Sequence, residues 1–330
     1  MAIDLDDYGW PGGEIPPSGT LGRIVRVDRG ECDVATAAGF VRALSDSQRA
    51  QSEIAPATGD WVLLDEDPEL GPLISQVLPR SNSLSRRDAS EAGLEQVLVT
   101  NVDAVLIIHG LDRPFPAGRL ERLLVIAWDS GADVAVVLTK ADTRAGKAAD
   151  DVSATIRAVA PETPVLIVGG EEGLDEVVAW TGPGRTVALL GESGAGKSTL
   201  VNGLLGEELL AIGEVRGGDA KGRHTTVSRK LVHLPGGGLV IDTPGIRAVG
   251  LLDTVEALDR VFGDLQDLSA ECRYADCAHD TEPDCAVTGA VGDGSVDARR
   301  VARYRALRSE LAEQRVRDEE RGRRSRRGRR

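Results

Sequence analysis

Gly191-Glu192-Ser193-Gly194-Ala195-Gly196-Lys197-Ser198 fits the pattern G-x-x-x-x-G-K-S. A strand-like apolar run, Thr186 to Leu190, precedes it, and a helix-like run, Thr199 to Leu205, follows. A phosphate-binding loop requires that context. The glycines let successive backbone N–H groups converge on an anion, and the following helix turns the positive end of its dipole toward it. In this reading Gly191 through Thr199 wrap a nucleotide's phosphates, Lys197 reaches the β- and γ-phosphates, and Ser198 holds Mg²⁺.

Alternating strand and helix patterns lie around this loop. Strand-like 104–108, 134–138 and 165–168 are separated by helix-like 119–128 and 148–159, and helix-like 174–180 leads to the loop. Such alternation predicts a parallel sheet built from βαβ units. The sheet is expected to continue through 229–234 and 238–241. Directly after strand 134–138 stands Thr139-Lys140-Ala141-Asp142, which matches a base-reading motif usually written Asn-Lys-x-Asp. The Asp142 carboxylate offers acceptors for the two guanine donors, and Lys140 lies along the base plane. Thr139 stands where Asn is usual, so one amide donor is lost. Asp242-Thr243-Pro244-Gly245 closes another strand as D-x-x-G. Asp242 is expected on Mg²⁺ and the Gly245 N–H at the γ-phosphate. Between these motifs, Thr225 or Thr226 completes the Mg²⁺ shell. Ile246 stands where many GTPases carry a water-orienting Gln, so slow intrinsic hydrolysis is expected. His224 is either the group that positions water or a structural loop histidine.

The base-reading motif precedes the phosphate loop, the reverse of an ordinary GTPase, so the expected sheet is circularly permuted. Upstream, five short strand patterns between Leu21 and Val77 suit a small OB-like barrel, either RNA-binding or structural. Phe40 and Trp61 are its few aromatics. Arg80, Arg86 and Arg87 follow in a polar link, where they either meet phosphate or are solvated. Downstream, Cys272-x₄-Cys277-x-His279-x₅-Cys285 supplies three thiolates and an imidazole, a closed tetrahedral set for one structural zinc. Cys32 reads as an ordinary barrel residue.

Composition bounds the rest. The chain has 330 residues, 41% of them hydrophobic, and a net charge of −14, which argues against a uniformly basic nucleic-acid coat. No apolar run is long enough to span a membrane and the N-terminus is acidic, so a cytoplasmic protein is expected. The last ten residues hold seven arginines and no acid, a run read as a disordered tail that either contacts phosphates or is simply solvated. The expected division is a leader over 1–19, a barrel over 20–80, a linker over 81–95, the GTPase core over 96–250, a zinc domain with a C-terminal helix over 251–314, and the arginine-rich tail over 315–330.

Together with Gly222-Arg223-His224-Thr225-Thr226, Asp242 to Ile246, and the cysteine cluster containing Glu282-Pro283 and Cys285-Ala286-Val287, the permuted motif order resembles the RsgA/YjeQ family, the ribosome small-subunit-dependent GTPases. The likeness covers about residues 20–310. It implies an α/β P-loop GTPase core, circularly permuted, with an N-terminal OB-like β-barrel and a C-terminal zinc-binding helical domain. It further implies a monomer that hydrolyses GTP to GDP on the 30S subunit, touches 16S rRNA, and acts in late subunit maturation. The family's Ser-Ala backbone contact to guanine appears only loosely here, as Gly169-Gly170. Two other readings from the residues are a P-loop ATPase or kinase, and an RNA-binding factor that holds GTP with little turnover.

Overall fold

The computed structural model describes residues 2–13, 19–45, 54–87, 95–143, 147–206, 229–243 and 255–328. Strands β1 (Thr20–Val27), β2 (Glu31–Thr36), β3 (Gly39–Leu44), β4 (Trp61–Asp67) and β5 (Gly71–Val77) form the barrel. β1 pairs with both β2 and β4, and β3 meets β5, so the five strands close on themselves. Closure leaves the interior to alternate side chains: Ile24, Cys32, Val34, Ala43, Val62, Leu64, Ile74 and Val77 fill it. Cys32 is therefore a core residue, and burial pushes its thiol up to about 12.

Ser83–Arg87 (β6), within the stretch expected as a linker, pairs antiparallel with Glu95–Thr100 (β7). Then come β8 (Ala104–Gly110), α1 (Ala117–Asp129), β9 (Asp133–Thr139), α2 (Lys147–Val159), β10 (Val165–Ile167), α3 (Leu174–Trp180), β11 (Thr186–Gly191) and α4 (Lys197–Leu205). β12 (Lys230–His233) and β13 (Leu239–Asp242) complete the core sheet. The spatial order is β10-β9-β8-β11-β13-β12, parallel except for β12. The sheet is covered on both faces, which explains its unbroken apolar runs. Val105, Ile107, Val136, Leu138, Ala188 and Leu190 pack with α1 on one face. Leu106, Ile108, Val137, Val187 and Leu189 pack with Val177 of α3 and Leu200 of α4 on the other. The phosphate-loop strand β11 lies between β8, which precedes it in the chain, and β13, which follows it.

The leader packs against both domains although its Gly and Pro content predicts an irregular segment. Tyr8 is 8% exposed and stacks on His233 beside β13 at 5.5 Å, while Trp10 meets barrel Trp61 edge-on at 4.8 Å. Arg23 of β1 is the tie between them. It is 1% exposed, donates to the carbonyls of Tyr8 and Asn101, and lies 5.3 Å over the Trp61 ring. Gly9 must be glycine here: its φ is +74°, and an added Cβ would sit 2.5 Å from the Gly184 carbonyl oxygen.

Beyond the sheet lie α5 (Val255–Val261), α6 (Gly263–Ser269), α7 (Ala286–Gly292) and α8 (Ala298–Gly328). The arginine-rich stretch, expected to be disordered, continues α8 as far as Gly328. Arg and Glu are good helix formers, and Glu313–Arg317 and Glu319–Arg323 pair one turn apart. The first half of α8 is anchored through the buried stripe Val301, Tyr304, Leu307 and Leu311. An ion cluster ties it to α1. Glu121 is 0% exposed and accepts from Arg300 at 3.0 Å and from Arg303 at 2.5 and 2.9 Å; Arg300 also grips Asp264 and the Val261 carbonyl.

Removing Glu121 leaves two guanidinium groups, one of them largely buried, without their shared counter-ion. Glu121→Gln is expected to cost about 3–5 kcal/mol, whereas Glu313→Gln, in an exposed pair, should stay within about 1 kcal/mol. Urea unfolding of both variants checks this; equal midpoints would show that the Glu121 cluster does not hold the two domains together.

Candidate functional site

The carboxyl ends of β8, β9 and β11 converge on one side of the sheet, where parallel-sheet proteins bind ligands. β11 ends at Gly191, the loop Glu192–Gly196 turns back, and Lys197 begins α4. Gly194 and Gly196 have φ of +74° and +96°, so the loop needs glycine at both places. Lys197 is only 7% exposed; its Nζ donates to the carbonyls of Gly191 at 3.0 Å and Glu192 at 2.9 Å. Burial lowers its pKa and the nearby Asp242 carboxylate opposes that.

The base-motif residues are joined directly to this loop. The Thr139 hydroxyl donates to the Ala195 carbonyl at 2.5 Å. Lys140 takes the left-handed conformation, φ +60°, which costs a non-glycine residue about 1 kcal/mol or more. Its Nζ reaches the Gly194 carbonyl at 2.8 Å and Asp112 at 2.7 Å. Thr139 thus uses its hydroxyl on the phosphate loop. An added Cβ at Gly196 would lie 2.8 Å from that hydroxyl oxygen. A cavity of about 450 Å³ is lined by both motifs, Thr139, Lys140 and Asp142 from one and Gly196 and Thr199 from the other, with Gly170 beside them. That is within the range of small-ligand sites. Gly169 passes so near the base motif that a Cβ there would sit 2.7 Å from the Asp142 backbone nitrogen.

Asp242, at the end of β13, stands beside the start of α4. Its Oδ2 accepts from the Ser198 hydroxyl at 3.5 Å, while its buried Oδ1 has no hydrogen-bond partner among the described residues. Burial raises the Asp242 pKa, and Lys197 and Ser198 pull it back. An orphaned carboxylate oxygen next to a hydroxyl is the donor chemistry that suits Mg²⁺. Gly222 to Thr226, including His224, Thr225 and Thr226, and likewise Gly245 and Ile246, lie outside the described residues.

Two further residues reach the site from the loop after β8, and sequence reasoning did not single them out. Asp112 lines the cavity and pairs with Lys140, and Arg113 donates to the Ser193 carbonyl at 3.1 Å and the Gly194 carbonyl at 2.8 Å. No motif marks them. Their position just past a central strand, beside the phosphate-loop strand, was the available signal.

The second cluster lies between α6 and α7. One donor atom each from Cys272, Cys277, His279 and Cys285 all fall within 4.8 Å of one another. Sulfur at about 2.3 Å and nitrogen at about 2.0–2.1 Å from a tetrahedral centre require S–S spacings of about 3.8 Å and S–N spacings of about 3.5 Å. Cys272 and Cys285 are 3.8 Å apart, and His279 Nδ1 lies 3.7 and 3.5 Å from them. These three spacings fit zinc, and the Cys277 sulfur, within 4.8 Å of all three, supplies the fourth ligand. His279 Nε2 lies 3.0 Å from the Ser269 hydroxyl, which donates to the Leu265 carbonyl at 2.6 Å. The imidazole is thereby held with Nδ1 toward the thiols.

Gly196→Ala is expected to lower the thermal midpoint and weaken nucleotide binding at least tenfold, about 1.4 kcal/mol, because the Cβ displaces Thr139 or the loop. Unchanged nucleotide affinity would contradict the close approach. Elemental analysis is expected to find one zinc per chain, and a strong chelator should open residues 272–292 to proteolysis before the sheet. Metal-free protein with the same cleavage pattern would remove the zinc assignment.

Comparison with known proteins agrees with this geometry. The RsgA GTPase family model matches residues 77–252. The small ribosomal subunit biogenesis GTPase RsgA of Streptomyces coelicolor is 43% identical over 322 residues, covering 93% of this chain and 86% of the relative. That of Opitutus terrae is 44% identical over 269 residues, covering 78% and 73%. The crystal structure of YjeQ from Thermotoga maritima superposes with a TM-score of 0.61 at 24% identity, over 89% of this chain and 99% of that one. The structure of YloQ, a circularly permuted GTPase, gives 0.60 at 21%, over 92% and 98%. These two share the fold: a permuted GTPase sheet with a barrel ahead of it. With a phosphate loop wired to a base motif that precedes it, and relatives this similar along most of its length, the chain belongs to the RsgA GTPase family.

Proposed function

We propose that this protein, a GTPase of the RsgA family, couples GTP hydrolysis to binding of the small (30S) ribosomal subunit and acts in late maturation of that subunit. The observation that carries the reading is the single cavity shared by Asp142 and the phosphate loop. Asp142 accepts from the guanine ring N–H and amino group, and Lys140 lies along the base. Gly170 supplies backbone to the base pocket from the Gly169-Gly170 turn. The N–H groups of Gly191 to Thr199 hold the phosphates, and Lys197 turns from its own loop carbonyls to the β- and γ-phosphates. Ser198 and Asp242, with Thr225 or Thr226, would hold Mg²⁺, which neutralises charge as the γ-phosphate leaves. Gly245 senses the γ-phosphate and His224 positions the attacking water, a role open to it because Ile246 cannot take it.

The working units in this reading are the leader to residue 19, the barrel over 20–80, a connector over 81–95, the GTPase core over 96–250, a zinc domain with its helix over 251–314, and the arginine-rich end of the helix. One structural zinc, held by Cys272, Cys277, His279 and Cys285, would shape the zinc domain. The curated relatives are named for small-subunit biogenesis, which supports the 30S particle and its 16S rRNA as partners. Among the described residues no helix is long and apolar enough to cross a membrane. A monomer acting in the cytoplasm suits a ribosomal partner.

Turnover of GTP and of ATP, with and without purified 30S subunits, tests the reading. GTP hydrolysis should rise at least tenfold with subunits and ATP hydrolysis should not. Asp142→Asn should cut the preference for GTP by about 10²-fold, since the site's recognition of guanine rests on that carboxylate. Equal GTP turnover in the presence and absence of 30S particles would remove the ribosomal coupling. An unchanged preference in the Asn variant would remove the assigned base contact.

A further inference from the structure

Where the barrel meets the GTPase sheet, β1 and β12 touch through the pair Arg26 and Lys230. Arg229 precedes β12, and its carbonyl accepts from the Thr58 hydroxyl at 3.5 Å. Thr58 in turn bridges to Val99 of β7, whose partner strand β6 carries Arg86. Four cations from three segments of the chain therefore gather at one seam. They do so in a protein whose net charge is −14.

Arg26 is neutralised by Asp28 at 3.0 Å, and Arg86 donates to Gln96 at 3.0 Å. Among the described residues Arg229, unlike these two, has no side-chain partner. It is partly buried, its Nε is fully buried without a hydrogen-bond partner, and among the described residues its guanidinium has no ion-pair partner. Burial lowers its pKa, and the charge acting on it is the Arg86 cation, which lowers it further. A guanidinium whose Nε is buried without a partner is costly unless an anion joins it. The fork of N–H donors suits a phosphate, and a second arginine nearby adds to the attraction.

We propose that Arg229 and Arg86, at the junction of barrel and GTPase sheet, form a binding site for an RNA backbone phosphate. The inference rests on the small-subunit partner argued above and names where on this chain one phosphate of that RNA is held. RNA is favoured over an acidic protein because the neighbouring Lys230 is an exposed cation that can meet a further phosphate of the same polyanion. The site binds phosphate at the same seam that fixes the barrel against β12. RNA held there clamps the barrel to the nucleotide domain.

The test is binding of the full-length protein, loaded with a non-hydrolysable GTP analogue, to 30S subunits and to protein-free 16S rRNA over a range of salt concentrations. Arg229→Gln should weaken both about five- to tenfold near 0.1 M salt and reduce the slope of log K against log salt by about one. Arg229→Lys should keep much of the affinity. The thermal midpoint of free Arg229→Gln should be unchanged or higher, because an unpaired buried charge has gone. A lowered midpoint with unchanged salt slope would mean that Arg229 is structural, and the proposal would fall. Loss on 30S particles with unchanged binding to the bare rRNA would overturn it in favour of an acidic protein surface. If the unaltered protein bound neither, the ribosomal reading itself would fail, an outcome distinct from a wild-type protein that binds well and a variant that binds equally.

Discussion

The hydroxyl of Thr139 and the missing Cβ of Gly196 set the distance between two halves of the nucleotide site. One lies at the end of β9, the other at the start of α4, and they belong to parts of the chain more than fifty residues apart. Because Thr139 donates into the phosphate loop, the loop's shape and the base motif's position are one structural variable. Lys140 and Arg113 strengthen the same coupling by donating to the carbonyls of Ser193 and Gly194. With its outward carbonyls fixed from behind, the loop is free to turn N–H groups toward an anion. The consequence is preorganisation: contacts within the protein alone hold the loop that lines the cavity.

Circular permutation changes what this rigid centre can drive. The strand that carries Asp242 is followed, after a short stretch, by α5 and the zinc-bearing helices, while the strand before it, β12, touches the barrel. Both flanking units are therefore attached next to the elements that respond to the γ-phosphate in GTPases. The Tyr8–His233 stack and the buried Arg23 fasten the barrel and leader from one side, and the Glu121 cluster fastens α8 from the other. Packed and ion-paired joints therefore hold both flanking units to the nucleotide domain.

Much of this was readable from residues alone, because the informative features are local. A phosphate loop needs glycines at fixed offsets, a zinc site needs thiolates and imidazole at workable spacing, and a two-faced parallel sheet needs unbroken apolar runs. The five barrel strands announced themselves by turns at short intervals. What stayed hidden depends on contacts between distant segments. Asp112 and Arg113 look like ordinary loop residues until β8 is laid beside β11. The leader's proline and glycine suggest irregularity, which holds for the backbone of residues 2–13 but says nothing of Tyr8 and Trp10 docking on two domains. The arginine-rich end looked disordered by charge, yet helix propensity and Glu–Arg pairs one turn apart carry α8 through it.

The central claim is that one ligand spans both motifs. A crystal structure with a non-hydrolysable GTP analogue and Mg²⁺ tests it directly. The account expects guanine donors within hydrogen-bond distance of the Asp142 carboxylate, the β- and γ-phosphates against Lys197, and Thr139 still bonded to Ala195. A nucleotide whose base lies away from Asp142 while its phosphates occupy the loop would contradict it.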